Sequence, residues 1–535
     1  MLIRIKSKIF QEEMIKFHEG LNVVLGDNKG SNSIGKSTLL MIVDFVFGGN
    51  TYITHNKDMV DKLGDHDFLF TFKFNDTEYN FIRGTDAPEV VFESNGSYER
   101  LDDMKVGEFR NRLEELYKLD FKHITFRSAV STFSRVWGKN NYDVKKPLHN
   151  FPNQGFKETV SNLIKTFQRY DEIAKQDKEL KTLEKQKSVL NKAGNFKFIP
   201  KITKRKYEKN IKEIDRLNKE IEKVGHKAQS PSINVGEIVS DELIKIREEK
   251  NKLLDEREYF KSRLNRTNKT IKKSSDAGFE NLVEFFPNVN LEKLNNIESF
   301  HNGIRSILSN ELKSARQELR KRIGELDEEI KELNDKQDQL LNPDEELTVF
   351  IDKLIEYTSE IKNLQLENEY YHKLSVVKSD LTKKEEDLDE IKTKIITQIE
   401  NDVNEKINEI NDLVHGVKRT APQLDLSYTS YEYKIFDNTG TGKAYSNLLI
   451  FDLAILRLTR MPFIIHDSFL FKNIEKDAVE QVIDYYDSMS KQVFIAIDLI
   501  NMYNKQTQET LQKNKVIQLS EDKLLTTLDW RDSSN

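Results

Sequence analysis

The sequence predicts an α/β fold in which both ends of the chain build one body, with a long antiparallel coiled-coil hairpin inserted between them. Three observations predict it. Strand-like runs and short helices fill residues 1–155 and 417–535. Leucines recur at heptad spacing through the middle. A glycine-rich loop near the N-terminus has its chemical complement, an apolar strand ending in a carboxylate, near the C-terminus. The expected boundaries are 1–155 and 417–535 for the two halves of the body, 156–273 for an outgoing arm, 274–295 for a tip and 296–416 for a returning arm.

Composition agrees with this division. Charged residues make up 33% of the 535, hydrophobic ones 37%, and the mean hydropathy is −0.65, a balance that suits long solvated helices better than one compact core. A net charge of −6 and a pI near 6.1 exclude binding to nucleic acid by bulk charge, so any DNA contact has to come from local basic patches. The absence of cysteine excludes disulfides, thiolate zinc sites and a cysteine nucleophile, and a reducing cytoplasm is compatible with it. No run of about 18 apolar residues occurs, and the N-terminus enters a strand pattern directly; neither a membrane span nor a signal peptide is expected.

In the N-terminal half, the apolar run Leu21 to Leu25 leads into Gly30-Ser31-Asn32-Ser33-Ile34-Gly35-Lys36-Ser37-Thr38, and Leu39 to Val43 follows. This is the G-x-x-x-x-G-K-[ST] pattern of a P-loop between a strand and a helix. Gly30 and Gly35 let backbone N–H groups close round a phosphate chain, with Asn32 and Thr38 in the same cradle. Lys36 reaches the β/γ-phosphates and the Ser37 hydroxyl holds Mg²⁺. The alternative is a plain Gly/Ser loop, and the flanking strand and helix favour the cradle. Four extra residues, Gly26 to Lys29, lengthen the loop toward a bound nucleotide or a partner. Asp67 to Phe74 and Tyr79 to Ile82 read as a hairpin round Asn75-Asp76, and Phe121 to Trp137 leads into a Gly/Asn/Pro-rich connector ending near Gly155.

From Lys157 the pattern is helical. Ile173, Leu180, Leu183 and Leu190, then Ile211, Ile214, Ile221 and Val224, then Ile246, Leu253 and Phe260 mark the outgoing arm, with breaks at Phe198-Ile199-Pro200 and Ser230-Pro231-Ser232. Leu312, Leu319, Leu326, Leu333 and Leu340, with Ile323 and Ile330 in the other seam position, define the return. After an elbow at Asn342-Pro343-Asp344 the spacing resumes at Leu374, Leu381, Leu388 and Ile395. The segment Ser274 to Leu294, with Gly278, Phe279, Phe285, Phe286 and Pro287, breaks the heptads and is apolar, the composition of a tip; lacking cysteine, it is no zinc hook. The best basic clusters are Lys201-Ile202-Thr203-Lys204-Arg205-Lys206, and Arg263, Arg266, Lys269, Lys272 and Lys273 with Arg316, Arg320, Lys321 and Arg322. They suit phosphate contact, and equally a solvated arm surface balanced by neighbouring Glu.

In the C-terminal half, a hairpin Leu424–Tyr428 with Tyr431–Ile435 precedes the turn Asn438-Thr439-Gly440-Thr441-Gly442-Lys443. A helix Ala444–Leu458, a strand Pro462–Ile465, His466-Asp467-Ser468, a helix Asp477–Ser490 and a strand Val493–Ile497 follow. Asp467, at the end of an apolar strand, is placed to order the Mg²⁺ water shell. By itself the Gly440 turn reads equally as a simple turn and helix cap.

Together, the P-loop near one terminus, the heptads in the middle and the turn and carboxylate near the other terminus resemble the SMC/RecN type of ABC ATPase over nearly the whole chain. GSNSIGKST, NTGTGKAYSNLLIFDLAIL and PFIIHDSFLF look most like the uncharacterised ATPases of bacterial ABC-three-component systems, thought to act against phages or other mobile elements. The resemblance implies an ABC-type head that binds ATP with Mg²⁺, a homodimer closed through two heads, DNA and a companion effector as partners, and a cytoplasmic location without a membrane anchor. Gly35, Lys36 and Ser37 would take the phosphate and metal roles, Asp467 the Walker B role, and Thr439, Gly440 and Lys443 the signature role toward the nucleotide of the partner subunit.

Departures from the family pattern matter as much. Ser468 stands where hydrolysing members carry a Glu that polarises water, and a hydroxyl is too weak a base at neutral pH to replace it. Hydrolysis is expected to be slow or differently assisted, with Asp467, His466 and Ser468 as the catalytic set and Glu475 as a further candidate. No Gln stands near Phe126-Arg127, and Asp498, not His, follows the last strand. Two functions remain: an ATPase that couples dimerisation to DNA sensing or effector control, and a nucleotide-gated scaffold that holds a nuclease or other effector inactive. A P-loop kinase with an unrelated coiled coil leaves the Gly440 turn unexplained.

Overall fold

The computed structural model of the chain describes residues 1–195, 200–228, 241–272, 291–340, 345–417, 419–436 and 441–529. The expected breaks at Phe198-Ile199 and Ser230-Pro231-Ser232, the tip as far as Asn290, the elbow at Asn342-Pro343-Asp344, and Thr439 and Gly440 lie outside the described residues. The chain is mixed α/β with long helices. It divides into two compact units, one made of Met1–Ser188 with Val377–Asn535, the other of Val189–Val376.

The first unit joins the chain ends. Its strands are β1 (Leu2–Lys6), β2 (Met14–Lys16), β3 (Leu21–Leu25), β4 (Asp67–Phe74), β5 (Thr77–Gly84), β6 (Val90–Ser94), β7 (Arg100–Lys105), β8 (Ser134–Arg135), β9 (Gln423–Leu426), β10 (Tyr431–Lys434), β11 (Phe463–His466), β12 (Gln492–Ile497) and β13 (Lys515–Gln518). A parallel sheet runs β13-β3-β12-β11-β8, with Val23 opposite Ile495 and Ile465 opposite Phe494. An antiparallel sheet runs β2-β1-β4-β5-β6-β7, and β9 and β10 form a separate hairpin. The turn from β4 to β5 places Asn75 and Asp76 at φ 46° and 64°, the left-handed pair that a two-residue hairpin requires.

Both faces of the parallel sheet are buried, which is why its strands read as apolar runs rather than alternations. Leu21, Val23, Leu25, Val493, Ile495 and Ile497 face one core with Ile464, and Val24, Phe494, Ala496, Phe463 and Ile465 face the other. The first core is closed by the helices Thr441–Leu458 and Lys476–Asp487 and by Ile399, Val403, Ile407 and Ile410 near the end of the helix Glu345–His415. The second holds helix α1 (Lys36–Val46), buried at every position but Ser37, against Phe68, Phe70, Phe72 and Phe81 of the antiparallel sheet. Phe47 just past α1 stacks on Phe463 of β11 at 3.9 Å between centroids.

The compact division falls at 188/189 and 376/377; the helix Phe156–Thr166 and the last turns of Glu345–His415 bury Val160, Leu163, Ile164 and Ile407 in the first core. The Asp171–Asn195 helix begins against the same element: Arg169 pairs with Asp402 at 2.8 Å and Lys384 with Glu179 at 2.8 Å, so the two stretches run antiparallel.

In the second unit, the helices Asp241–Lys272 and Leu291–Leu340 also run antiparallel, with Arg322 on Glu256 at 3.2 Å, Arg257 on Asp327 at 2.5 Å and Lys250 on Gln337 at 3.2 Å. The returning helix starts at Leu291, within the expected tip. Among its described side chains, Leu319, Ile323, Leu326, Ile330, Leu333 and Gln337 are buried, the alternating three- and four-residue steps of a seam. The helix Lys204–Ala228 meets residues 360–371, with Lys206 on Glu367 at 2.8 Å and Tyr207 stacked on Tyr371. These pairings neutralise part of the basic clusters: Arg322 meets Glu256, Glu325 and Glu329, while Lys204 and Arg205 stay exposed. The side chains of Arg266, Lys269 and Lys272, and Lys273 entirely, lie outside the described residues. No described helix is long and apolar enough to cross a membrane.

Leu326 is fully buried in the seam, so Leu326→Ala is expected to cost about 2–5 kcal/mol through lost burial and the cavity left behind. Hydrogen exchange should report it as faster opening of the amides of Leu291–Leu340.

Candidate functional site

The loop Gly30–Thr38 joins β3 to α1, so its position is set by a strand and a helix buried on all sides. Gly35 caps α1 at φ 104°, a left-handed conformation in which a Cβ would also lie 2.3 Å from the Cβ of Leu525. Glycine is therefore obligatory there. Gly30 (φ 69°) and Ser33 (φ 58°) turn the loop back so that Ser31 and Lys29 N–H groups donate to Asp27 Oδ1 at 3.0 and 3.1 Å. Burial raises the Asp27 carboxyl's pKa, but those bonds and Lys36 outweigh it and hold the group below its ordinary value. The lengthened stretch Gly26–Lys29 docks on the segment after β12: Leu499 N–H donates to Asp27 O at 3.2 Å and Asn501 N–H to Asn28 Oδ1 at 3.3 Å.

At the start of α1, Lys36 Nζ donates to Ser31 O at 2.7 Å and lies 2.8 Å from Asp498 Oδ1; both side chains are enclosed, 6% and 7% exposed. Ser37 Oγ donates to Asp467 Oδ1 at 2.9 Å, joining residues 430 apart in sequence. Asp467 also accepts from Ser468 N–H at 2.7 Å and from Trp137 N–H at 3.0 Å. Burial pushes its carboxyl above the ordinary value, although Trp137, Ser37, Ser468 and Lys36 pull the other way. A buried carboxylate beside a hydroxyl is a hard oxygen pair of the kind Mg²⁺ takes, completed by phosphate oxygens and water, and a dication there would favour the charged carboxylate. Asn32 Oδ1 accepts from Lys472 Nζ at 3.4 Å, and Thr38 is buried against Met59.

Of the residues expected to act with Asp467, His466 is turned inward. Nε2 meets Asp452 Oδ2 at 2.9 Å and Nδ1 meets Tyr486 Oη at 2.6 Å, all fully buried. Because burial holds the imidazole below its ordinary pKa against the pull of Asp452, Nε2–H donates to the carboxylate and Nδ1 accepts from Tyr486. Both nitrogens are spent, which removes His466 from the water-facing set. Arg135 completes this buried group by gripping Asp452 through Nε and, at 2.6 Å, through Nη2. Glu475 is exposed and paired with Arg419 at 2.8 Å. The helix expected from Ala444 starts at Thr441, so Gly442 and Lys443 belong to its first turn, and Lys443 Nζ donates to Phe436 O at 3.1 Å. A cavity of 750 Å³, lined by Glu114, Lys118, Phe121 and His123 among others, includes none of the expected site residues.

Three features escaped the sequence. The strand beside Asp467 is β8, and the loop after it brings the exposed indole of Trp137 to the site; no spacing signal marks a two-residue strand. Asp498 contacts Lys36, an encounter visible only once β3 and β12 are neighbours. The third is a buried charge group under α1, where Asp44 accepts from Arg127 (2.6 Å), Thr51 (2.6 Å) and Ser134 (2.7 Å), bonds that with Lys139 hold its carboxyl well below the carboxylate range despite burial. Lys139 Nζ donates to the carbonyls of Ser131 and Ser134. Burial, with repulsion from Arg127 and Arg135, pushes its pKa down to about 7 against the attraction of Asp44.

With this geometry in view, the chain can be set beside known proteins. A family model described as "Uncharacterised protein conserved in bacteria (DUF2326)" matches residues 379–528. No curated protein matches the chain. Among solved structures, the chain is similar to an Smc head domain with a coiled coil and joint from Pyrococcus yayanosii, at 15% identity over 97% of this chain and 94% of that one, with a TM-score of 0.43. It is also similar to an Smc head domain with an extended coiled coil, bound to the C-terminal domain of ScpA, from Pyrococcus furiosus, at 12% identity over 96% and 91%, with a TM-score of 0.32.

Lys139 supplies a pH test. Between about pH 7 and 10.5 the unfolded chain holds a proton on this lysine that the folded chain has released, so folded stability rises as pH climbs through that window. Lys139→Met should remove that part of the slope in urea unfolding midpoints measured at pH 7, 8, 9 and 10.

Proposed function

We propose that this chain is an SMC-like ATP-binding protein whose terminal unit is an ABC-type head and whose middle is a coiled-coil hairpin. Gly30–Thr38 is its P-loop. Backbone N–H groups at the N-terminus of α1 receive the phosphates, Lys36 leaves Ser31 O and Asp498 for the β/γ-phosphate oxygens, and Ser37 with Asp467 holds Mg²⁺. The ion, when bound, neutralises charge on the terminal phosphates. The observation that carries this reading is the 2.9 Å bond from Ser37 to Asp467, which unites the hydroxyl of one chain end with the carboxylate of the other at the mouth of a glycine-capped helix.

Thr439, Gly440 and Lys443 would complete the site in trans, their helix N-terminus facing the nucleotide of a second copy. The hairpin would then transmit head closure to DNA or to a companion effector in bacterial defence against phage or mobile DNA, with Lys201, Lys204 and Arg205 as the basic residues offered to DNA phosphates. A second reading is a nucleotide-gated scaffold that binds ATP, scarcely turns it over and holds an effector silent. Ser468, standing where a carboxylate would polarise water, favours it.

The test is Lys36→Ala against the unsubstituted protein. Loss of the charge-assisted contacts should weaken binding of a fluorescent ATP analogue about tenfold to a hundredfold, and ATP-dependent dimerisation in sedimentation should disappear. Unchanged binding sinks the proposal. Phosphate release with and without DNA separates the two readings, because the scaffold shows no stimulated release.

A further inference from the structure

We propose that Asp498 is the general base of ATP hydrolysis, the carboxylate that takes the proton from the attacking water; this rests on the ATP-binding reading above. Asp498 follows β12, the strand between β3, which leads into the Gly30–Thr38 loop, and β11, which ends at Asp467. Ligands of parallel sheets bind beyond such strand ends. Its backbone is fixed on both sides, by Gly26 N–H on Ile497 O at 2.8 Å and by Leu499 N–H on Asp27 O at 3.2 Å. Leu499 adopts φ 55°, a left-handed conformation that costs a γ-branched residue energy and that persists where surrounding structure imposes it.

The carboxylate of Asp498 is in an unusual state. The other buried carboxylates among the described residues of this unit are satisfied: Asp44 by Arg127, Thr51 and Ser134, Asp452 by Arg135 and His466, Asp467 by Ser37, Ser468 and Trp137, and Glu480 by the backbone and side-chain amides of Asn504. Asp498, 7% exposed, has Lys36 Nζ at 2.8 Å from Oδ1, yet neither of its oxygens receives an aligned hydrogen bond among the described residues; the aligned bond of Lys36 goes to Ser31 O. Buried acceptors without donors are uncommon and call for an explanation. The space is also reserved for it, since a Cβ at Gly26 would lie 1.8 Å from Oδ1.

Once Lys36 turns to the phosphates, Asp498 loses the cation it contacts among the described residues and has lone pairs open toward the atoms Lys36 holds. A water there is the donor it lacks. The other groups considered are engaged: His466 has both nitrogens bonded, Glu475 is paired with Arg419, and Asp467 has three donors. As the water oxygen bonds to the γ-phosphorus, its proton passes to Asp498 Oδ, the bond from γ-phosphorus to the β–γ bridging oxygen breaks, and the electron pair leaves on ADP. Asp498 then returns the proton to solvent.

The experiment uses the full chain and Asp498→Asn, which keeps shape and removes charge and basicity, with Asp498→Ser as a smaller second variant. A base that also repels phosphate predicts opposite effects on two readouts. ATP affinity should stay equal or rise up to about tenfold, while single-turnover phosphate release falls about 10²- to 10⁴-fold. Release within threefold of the unsubstituted protein overturns the inference, as does a parallel loss of affinity and urea stability in both variants, which marks a structural role. An unsubstituted protein that binds ATP and releases no phosphate, with or without DNA, also overturns it and leaves ATP binding standing. If Lys36→Ala binds ATP normally, the reading beneath it has failed instead.

Discussion

The structure depends on the parallel pairing of β3 with β12. Residues 21–25 and 493–497 come from opposite ends of the chain, yet Val23 lies opposite Ile495 and Leu25 opposite Ile497 in the middle of a sheet buried on both faces. Register in such a sheet is strongly specified, because a slip of one residue would exchange the side chains of the two cores. Once that pairing is set, the segments that leave the two strand ends, Gly26–Lys36 and Asp498–Met502, have no choice but to meet. The Ser37–Asp467 bond and the Lys36–Asp498 contact are consequences of it.

Helix α1 is held along its whole length by charge as well as by apolar packing. At its start Ser37 is tied to Asp467; in its third turn Asp44 is tied to Arg127, Thr51 and Ser134; at its end Arg83 donates to Phe45 O at 2.6 Å and Gly49 O at 2.8 Å, and Arg110 to Gly48 O at 2.6 Å. Two arginines on the last carbonyls satisfy acceptors that a helix end leaves open and complement the negative pole of its dipole. Burial lowers the Arg83 guanidinium to about 9, helped by the nearby Arg110. A helix held in this way cannot slide to accommodate a ligand. Adjustment on binding falls to side chains, Lys36 foremost.

Much of this was legible in the sequence, for reasons that differ by element. The strands of the parallel sheet announced themselves as apolar runs, the β4–β5 hairpin by Asn75-Asp76, and the seam of Leu291–Leu340 by its leucine spacing, all local patterns read by periodicity. The proximity of Lys36, Ser37 and Asp467 was inferable from motif chemistry. What stayed hidden was orientation. His466 and Asp467 are adjacent and belong to one strand end, so alternation sends one side chain into the first core, toward Asp452 and Tyr486, and the other toward Ser37; sequence alone gave no face to either. Trp137, Lys139 and Asp498 act through neighbours more than 80 residues away or through a two-residue strand, and nothing periodic marks them.

The joining of the two chain ends in one sheet also governs how the protein is made. When β3 leaves the ribosome, its neighbours β12 and β13 have not yet been translated, and at about 5–20 residues per second they follow only after tens of seconds. For that interval the nascent N-terminal segment carries an apolar strand with two open edges and a helix built for burial on nearly every side. That surface stays uncovered until β12 has been made.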